Sequence, residues 1–287
     1  MKKSFVEREY TVRTNKVDAP LLFAFLTDLH RSEFGEDNRD LVEAVIRLRP
    51  DAVLIGGDML VVSDAYKELK SGAKGGGWYR NAVRLTRALS GSFPVYFAPG
   101  NHESQIITPR DEESELVFAE AGKELAGALS EAGAELLVDS HGSFSPQGGG
   151  KAEIYGFDID GDYYRKFRYA RFGEDYVREH LGSPDRRVFT IVLSHHPRYS
   201  DAVASWGADL ILSGHLHGGV MRLPGVGGVL SPDPEFFPRY SDGLYRLKGR
   251  EGKDCTLIVS CGLGGHTVPF RINNPPELSV IRVIPEN

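Results

Sequence analysis

The chain has 287 residues, 41% apolar and 26% charged, an ordinary balance for a folded globular protein and enough length for one large α/β domain spanning 1–287. Its formal net charge of −6 and pI near 5.9, with no basic stripe, argue against a nucleic-acid partner. No run approaches the ~20 apolar residues of a membrane span, and Met1-Lys2-Lys3 is followed by Glu7, Arg8, Glu9 and Arg13 rather than a signal-peptide core, so the expected location is cytoplasmic.

In chain order, Leu21 to Leu26 is an apolar run that predicts a buried strand ending at Thr27-Asp28. Asp37 and Asn38 are candidate caps for a helix with Leu41, Val45 and Leu48 on one face, stopped by Pro50. Ala52 to Ile55 reads as a second buried strand, ending at Gly56-Gly57-Asp58 and completing a β-α-β unit. A second crossover follows, with a helix over 79–89 and a strand over 94–98 that ends just before Pro99-Gly100-Asn101-His102. A helix over 114–131 is ended by Gly133; strands are expected at 135–138, 151–157, 187–193 and 209–212, with Gly148-Gly149-Gly150 as a tight turn. After residue 219 the helical pattern fades into short strands at 220–223, 256–260 and 278–284 between Gly/Pro-rich loops. A parallel-leaning first half and a strand-rich second half predict two packed sheets with helices outside. Loops are expected over 61–78, 104–115 and 224–245, the last holding Phe236, Phe237, Arg239 and Tyr240; such loops shape specificity on a rigid scaffold.

The two cysteines, Cys255 and Cys261, fall on one strand-like segment. Extended, they would lie roughly 20 Å apart, whereas a disulfide needs Cα atoms within about 7 Å. Free thiols are therefore expected.

Five motifs stand where apolar runs end: Asp28-Leu29-His30, Gly57-Asp58, Gly100-Asn101-His102-Glu103, His195-His196-Pro197 and Gly214-His215-Leu216-His217. Each alone is weak; a lone Gly-Asn-His-Glu is more often a turn than a site. Together they gather carboxylates, an amide and imidazoles, a donor mix suited to paired divalent transition metals rather than to Mg²⁺ or Ca²⁺. Asp28 and His30 are two apart, and if the backbone stays extended both face one metal; His215 and His217 repeat the spacing. Asp58 is the natural bridge, with one oxygen for each cation, and Asn101 offers a neutral oxygen. Such a pair activates water for in-line attack on phosphorus.

The order of these motifs resembles the calcineurin-like metallophosphoesterase superfamily over residues from about 21 to 219. The tail, with Cys261-Gly262-Leu263-Gly264-Gly265 and Arg271 to Glu277, resembles a bacterial branch that includes UDP-2,3-diacylglucosamine hydrolases and poorly characterised relatives. The resemblance implies a four-layer α/β/β/α sandwich of two mixed sheets. It implies one metal held by Asp28, His30, Asp58 and His217 and a second by Asp58, Asn101, His195 and His215, with His195 chosen over His196 by its spacing to Pro197. His102 would face the scissile phosphate without ligating and, protonated, would stabilise its charge or protonate the leaving oxygen, and Glu103, where many relatives carry Asp, would orient His102 or its turn. The implied reaction is attack on a phosphodiester or pyrophosphate by a hydroxide bridging the metals. The metals would be Mn, Fe, Zn or Ni, with Mn favoured for activity. Alternative readings are a phosphomonoesterase or a non-catalytic metal-binding scaffold of the same fold.

Arg31 is a candidate for a substrate phosphate. The basic and aromatic run 163–172 is compatible with a lipid-linked or nucleotide-linked substrate and with peripheral membrane contact. His141, His180 and His266 lack motif partners and read as structural, with His266 marked by the glycine-rich turn before it. Nothing in the sequence sets the oligomeric state.

Overall fold

A computed structural model describes residues 4–73, 75–146, 149–165, 170–219, 222–223, 227–228, 237–265 and 271–286. Its first half runs β1 (Val6–Thr14), β2 (Leu21–Leu26), α1 (Arg39–Leu48), β3 (Ala52–Ile55), α2 (Val62–Lys70), α3 (Arg80–Ser90), β4 (Val95–Phe97), α4 (Asn101–Ile107), α5 (Glu112–Glu131) and β5 (Ala134–Leu136). The second half runs β6 (Ser140–Phe144), β7 (Ala152–Phe157), α6 (Glu174–Leu181), β8 (Phe189–Ser194), α7 (Ser200–Trp206), β9 (Leu210–Ser213), β10 (Arg222–Leu223), β11 (Gly227–Gly228), β12 (Gly243–Lys248), β13 (Asp254–Val259) and β14 (Glu277–Pro285).

Two mixed sheets result, in the orders β1-β14-β2-β3-β4-β5 and β12-β13-β9-β8-β7-β6, with β10 and β11 as a separate ribbon. Strands β2 to β5 are mutually parallel, and so are β7, β8, β9 and β13. The chain returns at its end to insert β14 between β1 and β2.

Strand alternation sorts the side chains into three apolar layers. Phe23, Phe25, Leu54 and Tyr96 of the first sheet meet Ile154, Ile191, Leu193 and Leu212 of the second between the sheets. The opposite faces, Ala24, Leu26, Val53 and Phe97, pack on Leu41 and Val45 of α1, Leu85 of α3 and Leu125 of α5. Val192, Ile211 and Leu257 pack on Val177 of α6 and Val203 and Trp206 of α7. The expected α/β/β/α layering is therefore present.

Several expectations need correction. Residues 61–78 are not one loop, since α2 occupies Val62–Lys70 and buries Ala65. Residues 104–115 lie largely in α4 and the start of α5, whose N-terminus Asp111 caps by accepting from Ser114 N at 2.9 Å. Asn38 begins α1 but does not cap it; its Oδ1 accepts from Phe34 N at 3.0 Å and its Nδ2 donates to Asn81 Oδ1 at 2.6 Å. Strand β1 had no sequence signal because Glu7, Arg8 and Glu9 break its apolar pattern, as charge on an edge strand does. Cys261 falls beyond β13; both thiols are free and buried. Gly148, Val220, Phe236 and His266 lie outside the described residues, as do 166–169 of the basic and aromatic run and much of 224–236. No described helix is long and apolar enough to cross a membrane.

Candidate dinuclear metal centre

The loops after β2, β3, β4, β8 and β9 meet at one end of the packed sheets, the place where parallel α/β strands present ligand sites. The backbone there is unusual. Asp28, His30, Asp58, His215 and His217 all have φ between 49° and 66°, a left-handed region that non-glycine residues rarely occupy. Such conformations cost free energy and collect at functional sites. The extended Asp28–His30 and His215–His217 segments expected from sequence are thus corrected: the side chains converge through curled loops. Asp28 N donates to Gly57 O at 2.9 Å and His30 N to Asp58 O at 3.1 Å, tying the first two loops together. Close approach demands glycine at two points. A Cβ on Gly57 would lie 1.9 Å from Gly100 N, and one on Gly214 would lie 2.2 Å from Asp28 Oδ2.

Three triads of donor atoms, each within 4.8 Å of one another, emerge among the described residues: Asp28–His30–His217, His30–Asp58–His102 and Asp58–His195–His215. Asp58 sits at the middle. Its Oδ2 is 3.1 Å from His195 Nε2, 3.9 Å from His102 Nε2 and 4.0 Å from His30 Nε2. Its Oδ1 accepts from His102 N at 3.0 Å, so a single oxygen faces both halves rather than one oxygen facing each. Asp28 Oδ1 lies 3.4 Å from His217 Nε2 and 3.9 Å from His195 Nε2, while Thr27 Oγ1 donates to Asp28 Oδ2 at 2.9 Å. Asn101 Oδ1, at the start of α4, is buried with no hydrogen-bond partner among the described residues.

The histidine rings divide into two kinds. Nδ1 of His30, His195 and His217 lies 3.1, 2.7 and 3.0 Å from the carbonyls of Leu60, Gly56 and Gly264. A carbonyl only accepts, so Nδ1 carries a proton and Nε2 points inward, the nitrogen that metal-bound imidazoles offer; at His217 the Gly264 carbonyl lies nearer Nδ1 than the Arg271 guanidinium at 3.3 Å. His102 is the reverse: its Nδ1 accepts from Val62 N at 3.2 Å, which leaves the proton on Nε2. His196 is buried beside His195 but joins none of the triads; it stacks on Tyr164 with ring centroids 5.4 Å apart.

Charge follows burial. Burial holds His30 down to about 3 and His217 to about 3, the latter with help from Arg271, so both rings are neutral at pH 7. Burial also lowers His195, but Asp58 beside it overcomes that and raises it to about 10. Burial would raise Asp58, yet His195 and His102 keep it well below the usual carboxylate range. An orphaned amide oxygen, inward-facing imidazole nitrogens and clustered carboxylates form a donor set that fits divalent cations, which would displace the proton shared by His195 and Asp58.

Surrounding residues brace these loops. Glu103 accepts from the N–H groups of Asp58, Met59, Leu60 and Gly100 at 2.7–3.3 Å, fixing the turn that carries Asp58; burial and then Asp58 raise it to about 7. Arg31 lies outside the cluster, with Nε and Nη2 bonded to Asp64 at 2.5 and 2.7 Å. His141 stacks on Tyr155 at 4.6 Å and His180 Nδ1 meets Tyr176 O at 2.9 Å, both away from the site. The sequence reading missed three participants. Tyr164 packs over His215 with ring centroids 5.1 Å apart. Asn274 Nδ2 donates to His217 O at 2.5 Å and Gly219 O at 2.7 Å. Arg271 donates to the carbonyls of Cys261, Gly262 and Gly264. The tail motif was visible, but nothing in its spacing says that it braces a loop more than fifty residues earlier.

A sequence model of the calcineurin-like phosphoesterase family matches residues 21–219. The uncharacterized metallophosphoesterase YkuE of Bacillus subtilis is 23% identical over 257 residues, covering 88% of this chain and 76% of that protein. Phosphodiesterase YaeI of Escherichia coli is 23% identical over 270 residues, covering 93% and 83%. An uncharacterized metallophosphoesterase of Helicobacter pylori is 25% identical over 285 residues; the match covers 98% of this chain but only 64% of that relative's length.

Proposed function

Because the chain belongs to the calcineurin-like phosphoesterase family, we propose that it hydrolyses a phosphodiester or pyrophosphate bond of a small phosphorylated substrate using two divalent metal ions. Asp28, His30, Asp58 and His217 would hold one ion, and Asp58, Asn101, His195 and His215 the other. Manganese is the favoured activator among the first-row metals this donor set accepts. When bound, such a pair supplies positive charge for the phosphoryl oxygens and water activated near neutral pH.

The observation that carries the reading is the opposed orientation of the histidines. His30, His195 and His217 hold Nδ1 on backbone carbonyls and aim Nε2 inward, whereas His102 holds Nδ1 on a backbone N–H and turns its Nε2 N–H inward. With Nδ1 accepting from Val62 N–H, His102 offers its Nε2 N–H as a hydrogen-bond donor to the substrate. Its part is to stabilise charge on a phosphoryl or departing oxygen. Asp58 orients His102 by accepting its backbone N–H, and Glu103 orients Asp58. The name of the Escherichia coli relative, a phosphodiesterase, favours a diester.

Turnover of bis(p-nitrophenyl) phosphate beside p-nitrophenyl phosphate, after chelation and readdition of Mn²⁺, tests the proposal. Diester cleavage that needs the metal and disappears in Asp58→Asn is the expected result. Preference for the monoester would replace the diesterase with a phosphomonoesterase, and bound metal without turnover of either ester would favour a scaffold.

A further inference from the structure

Beside the candidate centre opens a cavity of about 430 Å³, bounded by His30 and Arg31 on one side and by Glu68, Trp78 and Arg80 on the other. Its size suits one small organic group. Val61 also lines it, and the next residue holds His102 through its backbone N–H, so the cavity and the reacting centre share a wall.

The charges in this wall are selective. Arg31 is bonded to Asp64, and Arg84 to Asp37 at 2.5 Å, which cancels two of the three guanidinium charges. Glu33, Glu68 and Arg80 have no ion pair among the described residues. Glu68 Oε1 accepts from Gly77 N at 2.9 Å, which fixes that carboxylate at the rim. An alkyl chain entering here would strip water from these charged groups without replacing the hydrogen bonds they lose. A second phosphate would meet two unpaired carboxylates against one guanidinium. Vicinal hydroxyls, by contrast, bond well to carboxylate and guanidinium edges. Trp78 is half-buried against the core, with its ring set edge-on to Tyr79 at 4.7 Å, and adds a flat apolar wall for the C–H face of a ring.

We propose that this cavity seats one ester arm of the substrate and that the arm is a sugar or other polyol. The inference rests on the phosphoesterase reading and narrows its substrate class.

The test is calorimetric titration of the Mn²⁺-loaded protein with myo-inositol 1-phosphate and with hexyl phosphate, which present the same phosphate to the metals and differ only in the arm. The polyol ester is expected to bind at least tenfold more tightly, and Glu68→Gln and Arg80→Ala, both at the solvent-facing rim, are each expected to cut that preference at least threefold. Equal or tighter binding of the hexyl ester, binding of neither, or a preference untouched by both substitutions overturns the proposal. Turnover of bis(p-nitrophenyl) phosphate on the same preparations separates the two readings. Turnover without the polyol preference removes the cavity assignment alone; the preference without turnover removes the hydrolase and keeps the cavity.

Discussion

The two sheets bring unlike donors to one place. The first carries all the oxygen donors at the ends of its strands, Asp28 after β2, Asp58 after β3 and Asn101 after β4, with His30 as its one imidazole ligand, while the second carries nitrogen alone, His195 after β8 and His215 and His217 after β9. Neither set closes a coordination shell by itself. The packing of the sheets, Phe23, Phe25 and Leu54 against Ile191, Leu193 and Leu212, brings them together. Metal affinity and sheet packing would therefore be linked, each strengthening the other.

The sharpest way to break this meeting of sheets is Asp58→Asn, since Asp58 Oδ2 faces histidines from both. Metal content per chain should fall below two, and kcat/KM should drop by roughly a thousandfold or more, the scale of losing metal-assisted charge stabilisation. Elemental analysis beside diester kinetics reads both. Full metal content with full activity in the variant would remove Asp58 from the centre.

His102 belongs to the first sheet's side yet should not behave like its neighbours. His102→Ala is expected to retain both metals and lower kcat by roughly a hundredfold, the usual worth of one oriented donor. His102→Gln, which keeps an N–H donor, should recover part of that loss. Loss of metal in His102→Ala would make this histidine a ligand and undo the assignment drawn from Val62 N and Nδ1.

The same contrast governs what could be read from sequence. Strands β2, β3 and β4 were legible because they are continuous apolar runs buried on both faces, and α1, α3 and α5 because their apolar residues recur at helical spacing. Helix α4 was not, because Asn101-His102-Glu103 is spent on the site and looks like a turn. The donor residues were legible as motifs, but the curled backbone beneath them was not. Left-handed Asp and His leave no mark beyond the glycines beside them. The carbonyls of Leu60, Gly56 and Gly264 that set the ring orientations are backbone groups, invisible to any reading of side chains.

Acidity sharpens the comparison at the level of stability. In the chelated protein His30 and His217 stay neutral down to about pH 3, whereas in the unfolded chain they take up protons below about 6.5. Protons then favour unfolding, so stability falls as pH drops from 7 to 6, by about 1.5 kcal/mol for the two rings together; His196, also lowered by burial, acts in the same direction. His195 works the other way. Raised to about 10, it contributes its full stabilisation below pH 6.5 and loses it as pH climbs toward 10. The chelated protein should thus be most stable near pH 6.5, and metal affinity should rise with pH as His195 yields its proton. Thermal melts across pH 5 to 9 check the first point. A midpoint that climbs steadily toward pH 9 would show that the Asp58–His195 pair does not carry a proton.

The smallest expected effect tests how far the second sheet's loop depends on the chain's end. Asn274 reaches the His217 and Gly219 carbonyls from the segment just before β14, and β14 lies in the first sheet. The tail thus ties a nitrogen-bearing loop of one sheet to a strand of the other. Asn274→Ala deletes both bonds and lets His217 drift from Gly264 O without touching any donor atom. Metal affinity should weaken roughly tenfold, the lower end of what orienting partners contribute, while kcat at saturating Mn²⁺ stays close to the parent value. That split separates bracing from chemistry: a fall in kcat that excess metal does not repair would place Asn274 at the substrate, and an unchanged affinity would mean that Arg271 and the left-handed backbone hold the loop unaided.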